Sequence, residues 1–155
     1  MRTRVISVIG LVWFSIAVVL LACGEVRAPA ADMNLQAFLL WGTDDSKLPE
    51  GKPYKPIEPD ISQKLKTLPL KWTNWFEVNR VAFAVPQGAT KEVPMSEKCQ
   101  VKVKQVSGSE VEVSLIGKGK EVVKRKQSLP KGEILVLGGN APNSTAWLVV
   151  LKRIE

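Results

Sequence analysis

Between Cys99 and Gln127 the chain reads CQVKVKQVSGSEVEVSLIGKGKEVVKRKQ, alternating apolar and charged residues through three runs separated by Gly-bearing turns. A period of two marks half-buried strands, and valine, whose branched side chain suits extended backbone, fills most of the apolar positions. The stretch therefore predicts a three-stranded antiparallel meander with one face on a core and the other in water. Three-residue loops at Val106-Ser107-Gly108 and Gly117-Lys118-Gly119 would place glycine where positive φ is needed. That register sets Val103 opposite Val111, Val101 opposite Val113 and Cys99 opposite Leu115. On the charged face it sets Lys104 opposite Glu110 and Lys102 opposite Glu112. In the second hairpin Val113 meets Val123, Glu112 meets Lys124 and Glu110 meets Lys126. Ile116 and Val122 fall on the charged face, and Glu121 and Arg125 on the apolar one, so the strands bend there or another segment covers that end. The run Lys124-Arg125-Lys126 has the composition of a nucleic-acid patch, but two of its charges already have Glu partners across the sheet. A solvated, salt-paired face is expected, with no nucleic-acid partner.

The N-terminus sets the compartment. Arg2 and Arg4 precede an apolar run from Val5 to Cys23, and Ala28-Pro29-Ala30 follows. A basic start, an apolar middle and small residues before a cleavage point describe a secretory signal peptide over residues 1–30, with one β-rich domain over 31–155. Cleavage after Ala30 is the leading expectation. Leu20-Leu21-Ala22-Cys23 also resembles a bacterial lipobox, in which Cys23 is lipidated and becomes the first residue. The apolar run is also nearly long enough for an uncleaved membrane anchor. All three predict an exported protein, periplasmic or extracellular, that touches the membrane only through an anchor or lipid. The formal net charge of +7 falls by two if Arg2, Arg4, Arg27 and Glu25 are removed, a moderate excess that specifies no partner. Cys99 is then the one mature cysteine, which leaves no internal disulfide and reads as a buried thiol, with an intermolecular disulfide as the sharper alternative.

Elsewhere the chain alternates strands and turns. Asn34 to Trp41 reads as a first strand, closed by a turn at Gly42–Ser46. Pro49, Pro53, Pro56 and Pro59 force an extended crossing. Asp60-Ile61-Ser62-Gln63 has the form of a capping box with Asp60 as N-cap, and Ile57, Ile61, Leu65 and Leu68 form the stripe of a short helix ended by Pro69. Phe76 to Val85 is a strand apolar on both faces. Thr90 to Met95 is a short, proline-bearing edge strand. Glu133 to Leu137 and Ala146 to Lys152 are near-continuous apolar runs expected at the centre of the core. The fold class is mainly β: an antiparallel β-sandwich or small open barrel of about seven or eight strands with one short helix.

Four segments carry a resemblance: Leu40-Trp41-Gly42-Thr43-Asp44, Trp75-Phe76-Glu77-Val78-Asn79-Arg80, Leu129-Pro130-Lys131-Gly132-Glu133 and Thr145-Ala146-Trp147. Through them the chain resembles a group of small secreted bacterial β-domain proteins to which no activity is attached. The resemblance therefore implies a secreted β-domain and no site residue. Lys131-Gly132-Glu133 followed by Gly138-Gly139 is separately similar to a strand-turn of secretin-type outer-membrane channels.

The chain has no histidine, which removes Ser-His-Asp and Cys-His catalysis and His-based metal sites. A single mature cysteine builds no Cys-ligated metal site, and no Gly-rich phosphate loop precedes a helix. No cofactor or metal is expected. Asp44 and Asp45 start no regularly spaced calcium loop and read as an Asx-capped turn. The other candidates for a carboxylate pair, Asp60 and Glu77, have plain structural uses as a cap and as a neighbour of Arg80. Asn143-Ser144-Thr145 matches a glycosylation acceptor. Trp41, Trp72, Trp75 and Trp147 remain. Buried packing is their ordinary use, but Trp72 and Trp75 exposed beside Tyr54 would form a possible binding surface for sugar rings or a partner's apolar face. The expected function is a non-enzymatic protein-interaction or structural module of the cell envelope, its partner an unidentified envelope protein. The alternative is a carbohydrate-binding module for an envelope polysaccharide.

Overall fold

The computed structural model describes residues 31–140 and 145–154, and the signal segment 1–30, Cys23 and the sequon residues Asn143 and Ser144 lie outside them. In chain order the elements are β1 (Met33–Thr43), β2 (Lys55–Pro56), α1 (Pro59–Lys66), β3 (Asn74–Val85), β4 (Thr90–Ser96), β5 (Cys99–Ser107), β6 (Glu110–Gly117), β7 (Lys120–Ser128), β8 (Ile134–Asn140) and β9 (Ala146–Arg153). They form two antiparallel sheets, a five-stranded one in the order β2-β3-β1-β9-β8 and a four-stranded one in the order β4-β5-β6-β7. The described residues thus hold nine strands, and the two packed sheets are consistent with a β-sandwich.

Burial explains the apolar pattern strand by strand. β1 sits at the centre of the larger sheet, so alternate side chains feed two separate cores. Met33, Leu35, Ala37 and Leu39 pack against Val101, Val103, Val111 and Val113 of the smaller sheet. Phe38 and Leu40 face the other way, onto Ile61 and Leu65 of α1 and Leu148 and Val150 of β9. The molecule is therefore three layers, helix on sheet on sheet, and a strand covered on both sides must be apolar in both phases. An eight-residue helix has little stability of its own. Ile61 and Leu65 are 0% and 3% exposed, and burying each contributes about 1.5–3 kcal/mol.

The meander has the expected faces as far as the bulge at Val122, beyond which Glu121 joins Ile116 on the charged face instead of the apolar one, and its partners are displaced by two residues. Val103 lies opposite Val113, Val101 opposite Leu115 and Lys104 opposite Glu112. Val113 lies opposite Arg125, Leu115 opposite Val123 and Glu112 opposite Lys126. The hairpins turn through two residues, Gly108-Ser109 and Lys118-Gly119, and take up an extra residue as a bulge in the adjoining strand. Lys118 and Gly119 both have positive φ, 50° and 76°, as the tightest hairpin turns require. A two-residue displacement preserves which side chains face the core, because the period is two. The expected ion pairs Lys124–Glu112 (3.0 Å) and Lys126–Glu110 (3.4 Å) form as diagonals. Lys102 instead pairs with Glu92 of β4 at 2.7 Å.

Three further expectations are corrected. Glu58, not Asp60, is the helix N-cap; Pro59 takes the first helical position, and no side chain caps the end. Proline suits that position because the missing N–H has no intrahelical partner there. β8 is an edge strand of the larger sheet, and the centre belongs to β1 and β9. β3 shifts phase at a bulge next to Leu39 and Leu40, so Val78 joins Val81 and Phe83 in the inter-sheet core, while Ala82 and Ala84 are exposed.

Candidate functional site

Aromatic side chains gather at one end of the larger sheet, on both of its faces. On the helix face, Trp75 lies across Gly42, where a Cβ would overlap the six-membered ring of the indole. Only glycine permits that approach. Trp72 meets Trp75 edge to face, with ring centroids 6.2 Å apart and planes at 75°, an arrangement that sets ring edges against the electron-rich face. A cleft of about 520 Å³ opens beside them, lined by Ile57, Leu65, Leu68, Leu70, Trp72 and Trp75, with Ser46, Ser62 and Asn74 supplying neutral polar groups and Lys66 a cation.

On the face turned toward the smaller sheet, one row of residues crosses the strands. Trp147 lies opposite Trp41, Trp41 opposite Phe76 and Phe76 opposite Pro56. Tyr54 reaches Trp41 at 5.9 Å between centroids, and Phe76 stacks on it at 6.1 Å. Trp147 is 39% exposed.

The expected trio of Tyr54, Trp72 and Trp75 is thereby divided. Trp72 is buried and Trp75 half-buried, together beside α1, whereas Tyr54 packs on Trp41, whose side chain projects from the opposite face. The most exposed indole among the described residues, Trp147, is not singled out by its sequence. Its one signal is its odd position in β9, in phase with the inward-facing Val149 and Leu151 but beyond the last residue the smaller sheet covers.

Ionisable groups cluster on the helix face. Arg80 donates from Nε to Glu77 Oε1 at 3.0 Å and from Nη2 to Glu77 Oε2 at 2.7 Å. Its Nη1 pairs with Glu58 at 2.6 Å, and its guanidinium lies 4.6 Å from the centre of the Phe38 ring. Lys152 of β9 donates to Glu58 Oε2 at 3.1 Å and also to Asp60. Two acidic residues at the start of α1 are thus clasped by cations from β3 and β9. The hydrogen bond from Lys152 holds the Asp60 carboxyl below the usual carboxylate range. The same bond raises Lys152, and the hydrogen bond to Glu77 raises Arg80. Every resolved shift here favours the charged form, the reverse of what a proton-transfer group near neutral pH requires. The cluster fastens the helix to the sheet.

The remaining candidates take plain places. Asp45 Oδ1 accepts from the Lys47 amide at 3.1 Å, closing an Asx turn, and the Asp45 amide donates to Thr43 Oγ1 at 3.2 Å. Cys99 is half-buried at the edge of the inter-sheet core, a free thiol whose pKa burial pushes up, away from reactive thiolate. Among the described residues no helix is long and apolar enough to cross a membrane. Comparison with known protein families, with curated proteins and with solved structures found no match to this chain.

Proposed function

We propose that the chain is an exported, non-enzymatic β-domain that serves as a protein-interaction or structural module of the bacterial cell envelope. Export rests on the sequence of residues 1–30, with cleavage after Ala30, lipidation of Cys23 or an uncleaved anchor as its three forms. N-terminal sequencing of the native protein decides among them: a start at Ala31, an acylated Cys23, or an intact Met1 end. Docking rests on the cleft beside Trp72 and Trp75, where apolar side chains line an accessible hollow together with neutral polar groups and one cation, Lys66. A photo-reactive residue in place of Leu70, at the cleft, should then capture one envelope protein reproducibly, while the same probe at Lys131 captures none. Equal capture from both positions overturns the cleft as a docking site. Substrate turnover by the purified domain, abolished by one carboxylate replacement that leaves it folded, overturns the non-enzymatic reading.

A second reading is supported by Trp147, exposed beside Trp41 and Tyr54. A sugar's apolar face stacks well on such rings, so a carbohydrate-binding module would use this row. Polysaccharide binding lost in Trp147→Ala with the fold intact establishes that reading in place of the first.

A further inference from the structure

Four strands end the two sheets, and they are guarded differently. β2 is two residues long. β4 carries Pro94 at a register shift, and proline offers no N–H to a partner strand. β8 carries no charge over Ile134–Asn140. β7 runs nine residues without proline as KEVVKRKQS, four cations to one acid, and is the last strand of its sheet. Among the described residues it pairs with no strand on its outer side, and its lysines, its bulge at Val122 and its inward-phase Arg125 guard that edge against indiscriminate pairing while leaving it open to a strand of opposite charge.

β7 is also exposed on the side that should be covered. Arg125 lies opposite the buried core residue Val113, yet is itself exposed. Val122, the bulge residue, is 61% exposed. β7 and β8 are joined by the short 129–133 connection, but each ends its own sheet and the sandwich stays open between them. Glu110 and Glu112 hold Lys126 and Lys124 upright on the outer face. Lys120 and Arg125 have no acidic partner among the described residues.

We propose that β7 is a docking edge for an extended, acidic segment of a partner protein, which adds to the smaller sheet as a fifth strand. Charge decides the occupant. A second copy pairing through β7 would bring together two segments that each carry four cations and one acid, and like charges across a ladder are destabilising. An acidic strand meets the same cations as opposite charges, with main-chain hydrogen bonds supplying the rest. The inference rests on the docking reading above and names the chemistry of its partner, at a surface remote from the aromatic cleft.

The test uses the exported full chain and a fluorescent nine-residue peptide of alternating glutamate and threonine, followed by anisotropy. The peptide should bind at least tenfold more tightly than its lysine–threonine counterpart and weaken as salt rises. The double variant Lys120→Glu/Arg125→Glu, checked for fold by circular dichroism, should lose at least tenfold. Methylating alternate backbone nitrogens of the peptide should abolish binding. Equal binding of the methylated peptide, an unchanged double variant, or a β7-mediated dimer that excludes the peptide would each overturn the proposal. Trp147→Ala and the Leu70 cross-linking experiment leave β7 untouched, so failure at this edge is separable from failure of the aromatic docking reading.

Discussion

β1 and β7 are strands of the two packed sheets, and they could hardly be buried more differently. Met33, Leu35, Ala37, Phe38 and Leu40 of β1 are all fully buried, divided by alternation between the inter-sheet core and the core beneath α1. In β7 only Val123 and Gln127 are even half-covered. The contrast teaches where stability resides. The centre of the larger sheet carries it, and the rim of the smaller sheet is left for charge.

Four experiments put that contrast to the test, taken from the largest expected effect downward. Phe38→Ala removes a fully buried ring from beneath Arg80 and should cost about 3–5 kcal/mol. That is a large part of the ~5–15 kcal/mol a domain holds, so chemical denaturation should show a collapsed midpoint. Its counterpart in β7, Val123→Ala, should cost only about 1 kcal/mol, because Val123 packs against the inter-sheet core but is half-covered; equal losses would break the contrast between the two strands. Next, Gly42→Ala drives a methyl group into the Trp75 ring and should cost about 1–3 kcal/mol, with a change in tryptophan fluorescence as the indole is displaced.

The clasp on α1 ranks third and is read through pH. Asp60 has a lowered pKa in the fold, so its stabilising contribution is complete above the ordinary carboxylate value and is lost as pH falls through the lowered one. Lys152 has a raised pKa, so its contribution is complete below the ordinary lysine value and is lost as pH rises through the raised one. Asp60→Asn should therefore lower stability at neutral pH and flatten the acid limb, and because the same bond raises Lys152 it should also weaken the alkaline limb. An unaltered acid limb in thermal melts would show that Asp60 does not help to hold the helix. Smallest is Lys118→Asn, which suits the positive φ at that turn and should stabilise by a few tenths to about 1 kcal/mol. A loss of stability there would mean that the two-residue hairpin is wrong.

How much of this is legible in the sequence depends on the range of the interaction. The faces of the meander follow from alternation alone, and the stripe Ile57, Ile61, Leu65 and Leu68 correctly predicts which side of α1 is apolar. Partner identities do not follow, because bulges at Val106 and Val122 take up residues that a plain loop count assigns to the turns. The role of Asp60 escapes a local reading because its partner, Lys152, lies at the far end of the chain and no nearby pattern connects them. The aromatic end is half legible. Composition points to Trp72, Trp75 and Tyr54, but only the alternation of β1 and β3 about Gly42 and Trp41 separates them onto opposite faces.

The pairing order also sets a timetable for folding. Strands β4 to β7 pair only with neighbours in the chain, and such hairpins form in about 1–10 μs. β1 is different: Leu35 must wait for Arg153, more than a hundred residues further along the chain, before its second edge is filled. Distant closure is slow, since the entropy of a long loop is lost before any contact rewards it. Until β9 arrives, the strand with the most buried apolar side chains among the described residues has an open side. A chain made from its N-terminus therefore exposes β1 long before the strand that covers its second edge, and any handler of the unfolded protein would have to shield residues 33–43 until β9 docks.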